Sequence, residues 1–380
     1  MQILGIASWY PTKGEPLKGT FFKEQFEALS NNGVKVTVLA IDCRSIRKIR
    51  KWGLVEENIN GIDTFTLSLP LGPINITLFK LVMSLVHKIT IKIIIKRCGK
   101  PDIIHAHAAM GAGILAKMCS EYTSIPFVIT EHSTGMYKVL EMEKSREIHK
   151  EVYDSASKVI AVSKSFCACI SQIKNVNEDI IYIPNLIDFN HFYNKGSKNK
   201  EFTFISIGFL TYKKGMDIVV KGFSEFNKKY PNSKLKVIGY GQEMDNLKEL
   251  AKTLGSSNNI GFLGGISRNE LPEIISSCHC LVMGSRLETF GLIFIEALAC
   301  EIPIIGTTCD GPISIINDDN GLIVPIDDIS KLSKAMENIY LNYEKYNKKK
   351  IREDAKCLYS EDSVCNQLIE VYNDILAKEV

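Results

Sequence analysis

The chain has 380 residues, of which 45% are hydrophobic and 23% charged, and its formal net charge is +3 at pH 7. This length suits two domains of ordinary size, each large enough for its own core. The near-neutral charge offers no electrostatic argument for a nucleic-acid partner, and the composition is that of a globular protein.

The cysteines favour a reducing compartment. Eleven are present without a C-x-x-C pair, and several, such as Cys119, Cys278 and Cys300, fall in apolar runs. This usage is typical of buried thiols rather than of a disulfide framework. The opening residues 1–4 read as a strand and lack the basic region and cleavage site of a secretory signal. We therefore expect a cytoplasmic protein.

The first half of the chain alternates apolar runs with helical segments, which predicts a parallel α/β domain. A strand over 1–7 leads through the K-G-T motif at 18–20 into a helix, and a second strand covers 34–41. No G-x-G-x-x-G is present, which disfavours a dinucleotide-dependent dehydrogenase. Gly19 precedes the helix, where backbone N–H groups can bind a phosphate, although a plain turn glycine explains it equally well.

Two stretches of this half combine basic and apolar residues. The first, at 44–52, reads RSIRKIRKW, and the second, at 74–97, is a long apolar segment interrupted by lysines. Those lysines argue against a transmembrane span. Two interpretations of the second stretch stay open. We favour a crossover helix that covers the sheet, and the alternative is a surface helix that contacts an anionic membrane.

Two successive predicted strands end in histidine. The strand over 101–107 ends in His105-Ala106-His107, and the strand over 127–130 leads to His132. The carboxyl ends of parallel strands border the ligand crevice of an open α/β sheet. A lone histidine is more often structural, but two strands that end in the same way favour a functional role.

A polar segment at 194–200, NKGSKNK, predicts a linker, and a second α/β series follows it directly. Its strands are predicted at 202–208, 235–239, 259–262, 280–283, 303–306 and 321–324. Two similar halves that are joined by a linker predict a ligand cleft between them.

The strongest signal in the second half is MGSRLETFGLIFIEALAC at 283–300. A strand ends at its start, and Ser285 or Thr289 would cap the helix that follows. Glu288 would lie beside the helix N-terminus, where the helix dipole favours a phosphate. Glu296 has apolar neighbours and needs a hydrogen-bonding partner, which sugar hydroxyls would provide. Lys214 before Gly215 adds a cation at another helix start. Taken alone, Glu288 is more simply a solvent-facing acid and Lys214 a solvated surface lysine.

These motifs resemble glycosyltransferase family 4, which are retaining enzymes of the GT-B fold. Glu288-x7-Glu296 is similar to the family's donor-site signature, and the segment at 207–215 resembles its G-R-L-x-x-x-K-G motif. The segments A-V-S at 161–163, P-N-L-I-D at 184–188 and F-L-G at 262–264 are similar to further family motifs. The resemblance covers nearly the whole chain.

The resemblance implies an α/β architecture of two Rossmann-like, doubly wound domains that face a central cleft. An N-terminal acceptor-side domain would cover 1–193, and a C-terminal nucleotide-sugar-binding domain would cover 201–357. A final helix within 358–380 would return to the N-terminal domain.

The resemblance also implies a retaining transfer of a hexose from a nucleotide sugar to a glycan or lipid-linked acceptor, in bacterial surface polysaccharide biosynthesis. Catalytic roles carry over to His132, Lys214 and Glu288. The implied donor-binding residues are Gly19, Gly208, Lys214, Phe262, Glu288, Phe290, Gly291, Leu292 and Glu296. No D-x-D motif occurs, so neither a metal nor another cofactor is expected. Peripheral membrane contact through 44–52 and 74–97 stays an alternative.

One departure from the family pattern affects the expected chemistry. Phe209 stands where the family has an arginine that contacts the diphosphate, so one of two cationic contacts is missing. Either Lys213, Lys18 or another residue compensates, or diphosphate binding is weaker. Two alternatives to a glycosyltransferase also stay open. One is a GT-B nucleotide-sugar 2-epimerase, which needs no acceptor, and the other is a non-catalytic protein that binds a sugar nucleotide.

Overall fold

The computed structural model describes residues 1–11, 19–45, 51–72, 76–133, 135–173 and 180–378. The chain divides into two compact units. Unit 1 comprises Met1–Leu186 with Glu361–Val380, and unit 2 comprises Ile187–Ser360. Lys18 and parts of both basic stretches, at 46–50 and 74–75, lie outside the described residues.

The described part of unit 1 forms an eight-stranded sheet in the order β3-β4-β2-β1-β5-β6-β7-β8. Its neighbouring strands are parallel, apart from the antiparallel pair β3 and β4. The strands are β1 Gln2–Ala7, β2 Lys35–Cys43, β3 Gly53–Ile59, β4 Ile62–Leu69, β5 Ile103–His107, β6 Phe127–Glu131, β7 Lys158–Ala161 and β8 Ile180–Tyr182. The helices before β9 are α1 Thr20–Asn31, α2 Ile76–Cys98, α3 Ile114–Thr123, α4 Met136–Val139, α5 Glu143–Ser155 and α6 Lys164–Ser171.

The described part of unit 2 forms a six-stranded parallel sheet in the order β11-β10-β9-β12-β13-β14. The strands are β9 Thr203–Ile207, β10 Lys234–Ile238, β11 Ile260–Gly264, β12 Cys280–Val282, β13 Ile304–Thr307 and β14 Gly321–Val324. The helices are α7 Met216–Lys229, α8 Met244–Thr253, α9 Leu271–Ser277, α10 Leu292–Ala299, α11 Asp310–Ile315, α12 Ile329–Asn342 and α13 Lys348–Tyr359. The predicted strands of the second half are confirmed.

The strand orders show where each sheet can bind a ligand. In unit 1, β1 lies between β2 and β5, and in unit 2, β9 lies between β10 and β12. Within each sheet, the strands that come next in sequence therefore lie on one side of the central strand and the later strands on the other side. This reversal of strand order is a topological switch point. Ligands of open α/β sheets bind at such points, outside the carboxyl ends of the strands. Each unit is thus Rossmann-like, as the sequence predicts.

The last helix, α14 Glu361–Ala377, belongs to unit 1. Its buried side chains join the core around β1 and α1, and these are Val364, Cys365, Leu368, Tyr372 and Ile375. The hydroxyl of Tyr372 lies 2.6 Å from Nδ1 of His105 on β5. A helix distant in sequence is therefore held to the sheet by apolar burial and by a buried hydrogen bond.

The segment at 194–200 is not a linker between the units. The units divide after residues 186 and 360, so this segment lies within unit 2. Its Asn199 N–H donates to the carbonyl of Ser277 at 2.8 Å, and Lys198 Nζ donates to the carbonyl of Cys278 at 2.7 Å. The segment is polar because its side chains and backbone hydrogen-bond the carbonyls at the end of α9.

Two further sequence expectations concern the thiols and the long helix. All eleven cysteines are free in the structure, and eight of them are buried, as their apolar sequence surroundings indicate. Within the described ranges, α2 and the other helices lack the combination of length and apolar content that crossing a bilayer requires.

We predict that Tyr372→Phe destabilises unit 1 by about 1–3 kcal/mol, because the buried His105 loses its hydrogen-bonding partner while packing is kept. Hydrogen exchange of the β5 amides measures the change. Asn373→Ala on the exposed side of the same helix is the control. Equal protection in both variants would show that the hydroxyl contributes nothing.

Candidate functional site

The candidate site of unit 2 begins in the loop that follows β9. A short turn at Tyr212–Lys214 is followed by Gly215 in the left-handed conformation, with φ 60°, and α7 begins at the next residue. The Lys-Gly motif therefore lies at a helix start, as predicted. The loop projects from the central strand of the sheet, at the switch point between β9 and β12.

A backbone crossing brings this loop against the loop after β12. A Cβ atom on Gly215 would lie 1.7 Å from the carbonyl oxygen of Gly284, and one on Gly284 would lie 2.5 Å from the carbonyl oxygen of Gly215. Such distances exclude any side chain at either position. The crossing thus depends on glycine in both loops, and it fixes the distance between the residues that follow.

Lys214 and Glu288 meet beside this crossing. Lys214 Nζ donates to Oε2 of Glu288, and only 20% and 9% of the two side chains are exposed. The main chain of Glu288 is also fixed, because its carbonyl accepts from the N–H of Gly311 at 3.0 Å. The two residues that the sequence assigned to catalysis in this half are therefore an ion pair in the structure.

Arg286 ties the two loops together, and sequence reasoning did not assign it a role. Its guanidinium donates to both carboxylate oxygens of Asp217 at 2.8 Å and to Asp327 at 2.7 Å. It also lies 4.0 Å from the ring centroid of Tyr212. The hydrogen bonds that Arg286 donates to Asp217 raise the pKa of Arg286. Because its guanidinium is occupied by these carboxylates, Arg286 does not substitute for the family arginine that is absent at position 209.

Helix α10 begins two residues later than a Thr289 cap would place it. Its N-cap is Gly291, with φ 90°, and no side chain caps it, so Ser285 and Thr289 were wrongly predicted as caps. Ser285 is buried, and it lies in the loop that precedes the helix. Phe290 is also buried and packs edge-on against Tyr359 at 6.0 Å. A ligand at this helix start would therefore meet backbone N–H groups at Gly291 and Leu292 rather than the Phe290 ring.

Glu296 lies in the second turn of α10 and is 4% exposed. Its Oε1 accepts from Nη1 of Arg268 at 2.9 Å. Arg268 follows β11, and its guanidinium lies 5.1 Å from the ring centroid of Phe192. The expectation that Glu296 needs a partner is therefore met by an arginine that sequence reasoning missed. An arginine among polar residues of a loop carries no periodic signal that would have identified it.

The remaining predicted residues of unit 2 lie at the ends of β9 and along β11. The N–H of Gly208 donates to the carbonyl of Ile238 at 3.0 Å, which joins β9 to β10. Phe209 is 53% exposed and packs edge-on against Tyr240 at 5.1 Å. Phe262 is half-buried on β11. Phe209 is therefore a surface side chain and not a replacement that the core requires.

His132 and Gly19, the two predicted residues of the first half, lie in unit 1. Gly19 caps α1 with φ 73°, and a Cβ there would lie 2.4 Å from the carbonyl oxygen of Trp9. This close approach explains the glycine without a ligand. His132 follows β6, and its ring packs against Phe21 at 5.2 Å and Phe22 at 5.0 Å.

His132 belongs to a buried histidine cluster. Nε2 of His132 lies 3.0 Å from Nδ1 of His107, and the Asn185 side chain hydrogen-bonds the His132 ring. The rings of His105 and His107 stack at 4.5 Å. Burial lowers the pKa of His105 and of His132 to about 3. No group of three or more His, Cys, Asp or Glu in the described ranges has the arrangement of a metal site.

Two family models cover most of the chain. Glycosyltransferase Family 4 matches residues 19–191, and Glycosyl transferases group 1 matches residues 188–356. The chain belongs to glycosyltransferase family 4. It is therefore a glycosyltransferase, and the resemblance that the sequence motifs indicated is confirmed.

Individual relatives agree with this assignment. An uncharacterised glycosyltransferase of Methanocaldococcus jannaschii is 26% identical and covers 91% of both chains. The alpha-monoglucosyldiacylglycerol synthase of Acholeplasma laidlawii is 26% identical over 54% of this chain and 58% of its own. The structure of Anabaena HepE in complex with UDP has a TM-score of 0.74 at 17% identity, and covers 98% of this chain and all of its own. The GT-B fold class is thereby confirmed.

We predict that unit 1 loses stability as the pH falls below about 6.5, where histidines of the unfolded chain gain protons and those of the folded cluster do not. With a folded pKa of about 3 for His132, the loss at pH 5 is on the order of 2 kcal/mol for this histidine. Hydrogen exchange of β6 amides at pH 7.5 and 5 measures it. His132→Gln should reduce the pH dependence, whereas His191→Gln in unit 2 should leave it unchanged. An equal dependence in both variants would contradict this account.

Proposed function

We propose that this family 4 glycosyltransferase moves a hexose from a nucleotide sugar to a lipid-linked acceptor, with retention of configuration at the anomeric carbon. The observation that carries the proposal is the Lys214–Glu288 pair at the unit 2 switch point, on loops that lead into α7 and α10. A role in bacterial surface polysaccharide assembly fits such an acceptor. HepE, a structural neighbour, has been solved with UDP.

The ion pair prepares the site for a diphosphate. In the proposed complex, a diphosphate oxygen replaces Glu288 as the partner of Lys214, and the N–H groups at the start of α10 bind the same anion. Glu288 is then free to accept hydrogen bonds from hexose hydroxyls. One rearrangement would therefore make Lys214 available to the diphosphate and Glu288 available to the hexose. Before the donor binds, Glu288 keeps the half-buried Lys214 paired.

Glu296 is the proposed acceptor for ribose hydroxyls. Arg268 holds one of its oxygens at 2.9 Å, which fixes the carboxylate in the second turn of α10. Hydrogen bonds to an ionised carboxylate are stronger than those between neutral groups. Arg268 therefore positions the Glu296 carboxylate, which would select a ribose over a ligand that lacks vicinal hydroxyls.

The proposed step is an attack by the acceptor hydroxyl on the same face that the diphosphate leaves. A bond forms between the acceptor oxygen and C1, the bond from C1 to the diphosphate oxygen breaks, and the leaving group keeps the electron pair. The hydroxyl proton passes to the departing phosphate oxygen. Lys214 stabilises the developing negative charge, so the proposal requires no metal. His132 of unit 1 stays a proposed catalytic residue, and burial lowers its pKa to about 3, so it would act as a neutral hydrogen-bonding group.

The acceptor class is inferred from the surface of α2. Its outward side carries Leu78, Leu81, Leu85, Ile89 and Ile93, which we call the α2 stripe. Leu81, Leu85 and Ile89 are 58%, 69% and 64% exposed. This helix contains no acidic residue, and Lys88, Lys92 and Lys96 are exposed near its C-terminal end.

An anionic bilayer is the occupant that this surface fits best. Apolar side chains beside lysines suit the boundary between head groups and acyl chains. A second copy of α2 would place lysines near lysines without a carboxylate on either helix, which disfavours a dimer through this face. A. laidlawii alpha-monoglucosyldiacylglycerol synthase, by its name, makes a glycolipid, which supports an acceptor held in a membrane.

We predict that UDP, GDP or ADP at 1 mM raises the melting temperature of unit 2 by several degrees. A ligand with a Kd of about 10 µM would add about 2.7 kcal/mol at this concentration. Glu296→Gln should lose most of the rise, because the ribose loses an ionised acceptor. Glu249→Gln, on the exposed surface of α8, is the control.

Phe209 defines the result that would contradict this prediction. If none of the nucleotides stabilises the protein, the missing arginine has removed donor binding, and a non-catalytic role becomes the better explanation. Phe209→Arg would then be expected to restore the thermal shift. If Glu296→Gln retains the full shift, the nucleotide does not bind where we propose.

We predict that replacing Lys88, Lys92 and Lys96 with Glu lowers binding to phosphatidylglycerol vesicles by at least about 100-fold. Each lysine near an anionic surface contributes roughly 1 kcal/mol. Vesicle co-sedimentation measures the change. Replacing Lys248, Lys252 and Lys334 of unit 2 with Glu alters the net charge equally and should have little effect. Equal losses in both triple variants would assign the binding to net charge and not to α2.

A further inference from the structure

Unit 1 contains a buried carboxylate that has no part in the proposed donor chemistry. Glu131 is the last residue of β6, and it is 0% exposed. Burying a carboxylate costs free energy unless hydrogen-bond donors surround it. The donors around Glu131 therefore show which parts of the chain this residue holds in place.

Backbone N–H groups from two turns donate to the Glu131 carboxylate. Oε1 accepts from the N–H of His132 at 3.0 Å and from that of Ser133 at 2.9 Å. Oε2 accepts from the N–H of Ala109 at 2.8 Å. Ala109 begins the turn Ala109–Gly113 after β5, whereas His132 and Ser133 follow β6. One side chain thus joins the carboxyl ends of two neighbouring strands, with one oxygen for each turn.

A fourth donor comes from α5. The hydroxyl of Tyr153 donates to Oε2 of Glu131 at 2.9 Å. Burial and the adjacent carboxylate raise the pKa of Tyr153 well above its ordinary value, so the hydroxyl keeps its proton. This bond secures the carboxylate from the side of a helix and involves neither turn. Tyr153 therefore offers a comparison in which the carboxylate loses a partner while its backbone bonds stay.

The turn after β5 has a backbone conformation that needs support. Ala108, which precedes it, has φ 70° and ψ 138°. A residue other than glycine with positive φ is uncommon and persists where its surroundings hold it. The N–H of Ala108 donates to the carbonyl of Thr130 at 2.9 Å, and the next N–H donates to Glu131. Consecutive residues of β6 thus hold consecutive residues at the start of this turn.

The joined turns place two histidine rings in contact. His107 ends β5, and its Nδ1 lies 3.0 Å from Nε2 of His132. Burial lowers the pKa of both rings, so each is neutral and carries one N–H. The contact is therefore an N–H···N hydrogen bond. Its length depends on the distance between the two strand ends, and the Glu131 carboxylate bonds the main chain beside each ring.

We infer that Glu131 is a positioning residue, which holds His132 against His107 through its hydrogen bonds to both turns. The inference rests on the proposed function, in which His132 is catalytic, and it adds the residue that orients the His132 ring. Glu131 itself contacts no substrate in this account. Glutamine has an acceptor at only one of its two terminal atoms, and aspartate is one methylene shorter. Neither residue can therefore hold both turns as Glu131 does.

The hydrogen bond between the two rings can be measured directly. In protein with isotope-labelled histidine, a scalar coupling between Nδ1 of His107 and Nε2 of His132 reports the N–H···N bond. The parent should show this coupling, and Glu131→Gln should lose it. Hydrogen exchange of the Ala109 and His132 amides should also become at least about tenfold faster relative to the β1 amides, because their acceptor is weakened or lost.

Tyr153→Phe is the matched control, because it removes one hydrogen bond from the same carboxylate and leaves the backbone bonds. It should keep the coupling between the rings and the slow exchange of both amides. Glu131→Asp is the second variant, which keeps the negative charge and should also lose the coupling. It allows the test to be made if Glu131→Gln does not fold.

A kinetic measurement separates positioning from stability. UDP-, GDP- and ADP-glucose are the probes, with water as the acceptor, and release of the nucleoside diphosphate is measured. For the donor that is hydrolysed, Glu131→Gln should lower kcat by about tenfold or more and leave KM within about twofold, because the proposed donor contacts lie in unit 2. Tyr153→Phe should keep the kcat of the parent.

Three results would overturn the inference. One is a parent protein without the coupling, since the carboxylate would then hold no bond between the rings. Another is a Glu131→Gln protein with a lower melting temperature but with the coupling and kcat of the parent, which would leave Glu131 a role in stability alone. The third is failure of both Glu131 variants to fold, which would assign the residue to stability in the same way.

Failure of this inference can be distinguished from failure of the proposed function. The coupling and the hydrogen exchange need no donor, so they test the role of Glu131 by themselves. If no nucleotide stabilises the parent and no donor is hydrolysed, the proposed function fails while these measurements still apply. A normal nucleotide thermal shift together with an unchanged coupling in Glu131→Gln would reject the positioning role alone.

Discussion

The contact between Gly215 and Gly284 is the constraint on which the candidate donor site depends. Two loops cross there with so little space that a Cβ on Gly215 would lie 1.7 Å from the opposite carbonyl oxygen. Because the backbones touch, the residues beside the crossing have little freedom in where they project. The Lys214–Glu288 pair is one consequence, and the attachment of both loops by Arg286 is another. The geometry of the candidate donor site is thus set mainly by the backbone.

The two units share one topological feature but surround it with different side chains. In unit 2, the switch point beside β9 carries a lysine, a helix start and carboxylates, which suit the proposed diphosphate and ribose. In unit 1, the loops at the switch point beside β1 carry the Asp42–Arg44 ion pair and Trp9. The sheet topology determines where a ligand binds, and the loop residues determine which one.

The sequence predicted the fold and singled out the candidate donor residues because those features have local patterns. Apolar runs that alternate with helical segments predict parallel strands, and Lys214, Glu288 and Glu296 occur in motifs of fixed spacing. Contacts between distant segments have no such pattern. Arg268 and Arg286 were missed for this reason, since each is an ordinary loop arginine until the fold places it against Glu296 or Asp217.

The two wrong predictions have a related cause. Ser285 and Thr289 are good capping residues by type, but the close packing of this loop delays the start of α10 until Gly291. The segment at 194–200 has the composition of a linker, but its polar groups bond the backbone after α9. In both cases tertiary hydrogen bonding and packing outweigh the local preference.

Phe209 shows how a departure from a family motif can be judged by its surroundings. The side chain is exposed and rests on Tyr240, so the fold does not require phenylalanine there. Arg286 lies near this loop, but it pairs with two carboxylates and could contact a diphosphate only by releasing them. In the proposed complex, Lys214 supplies side-chain charge for the diphosphate by leaving Glu288. Donor binding would then form one ion pair at the expense of another, so the helix start and the proposed ribose contact at Glu296 would provide most of the net affinity.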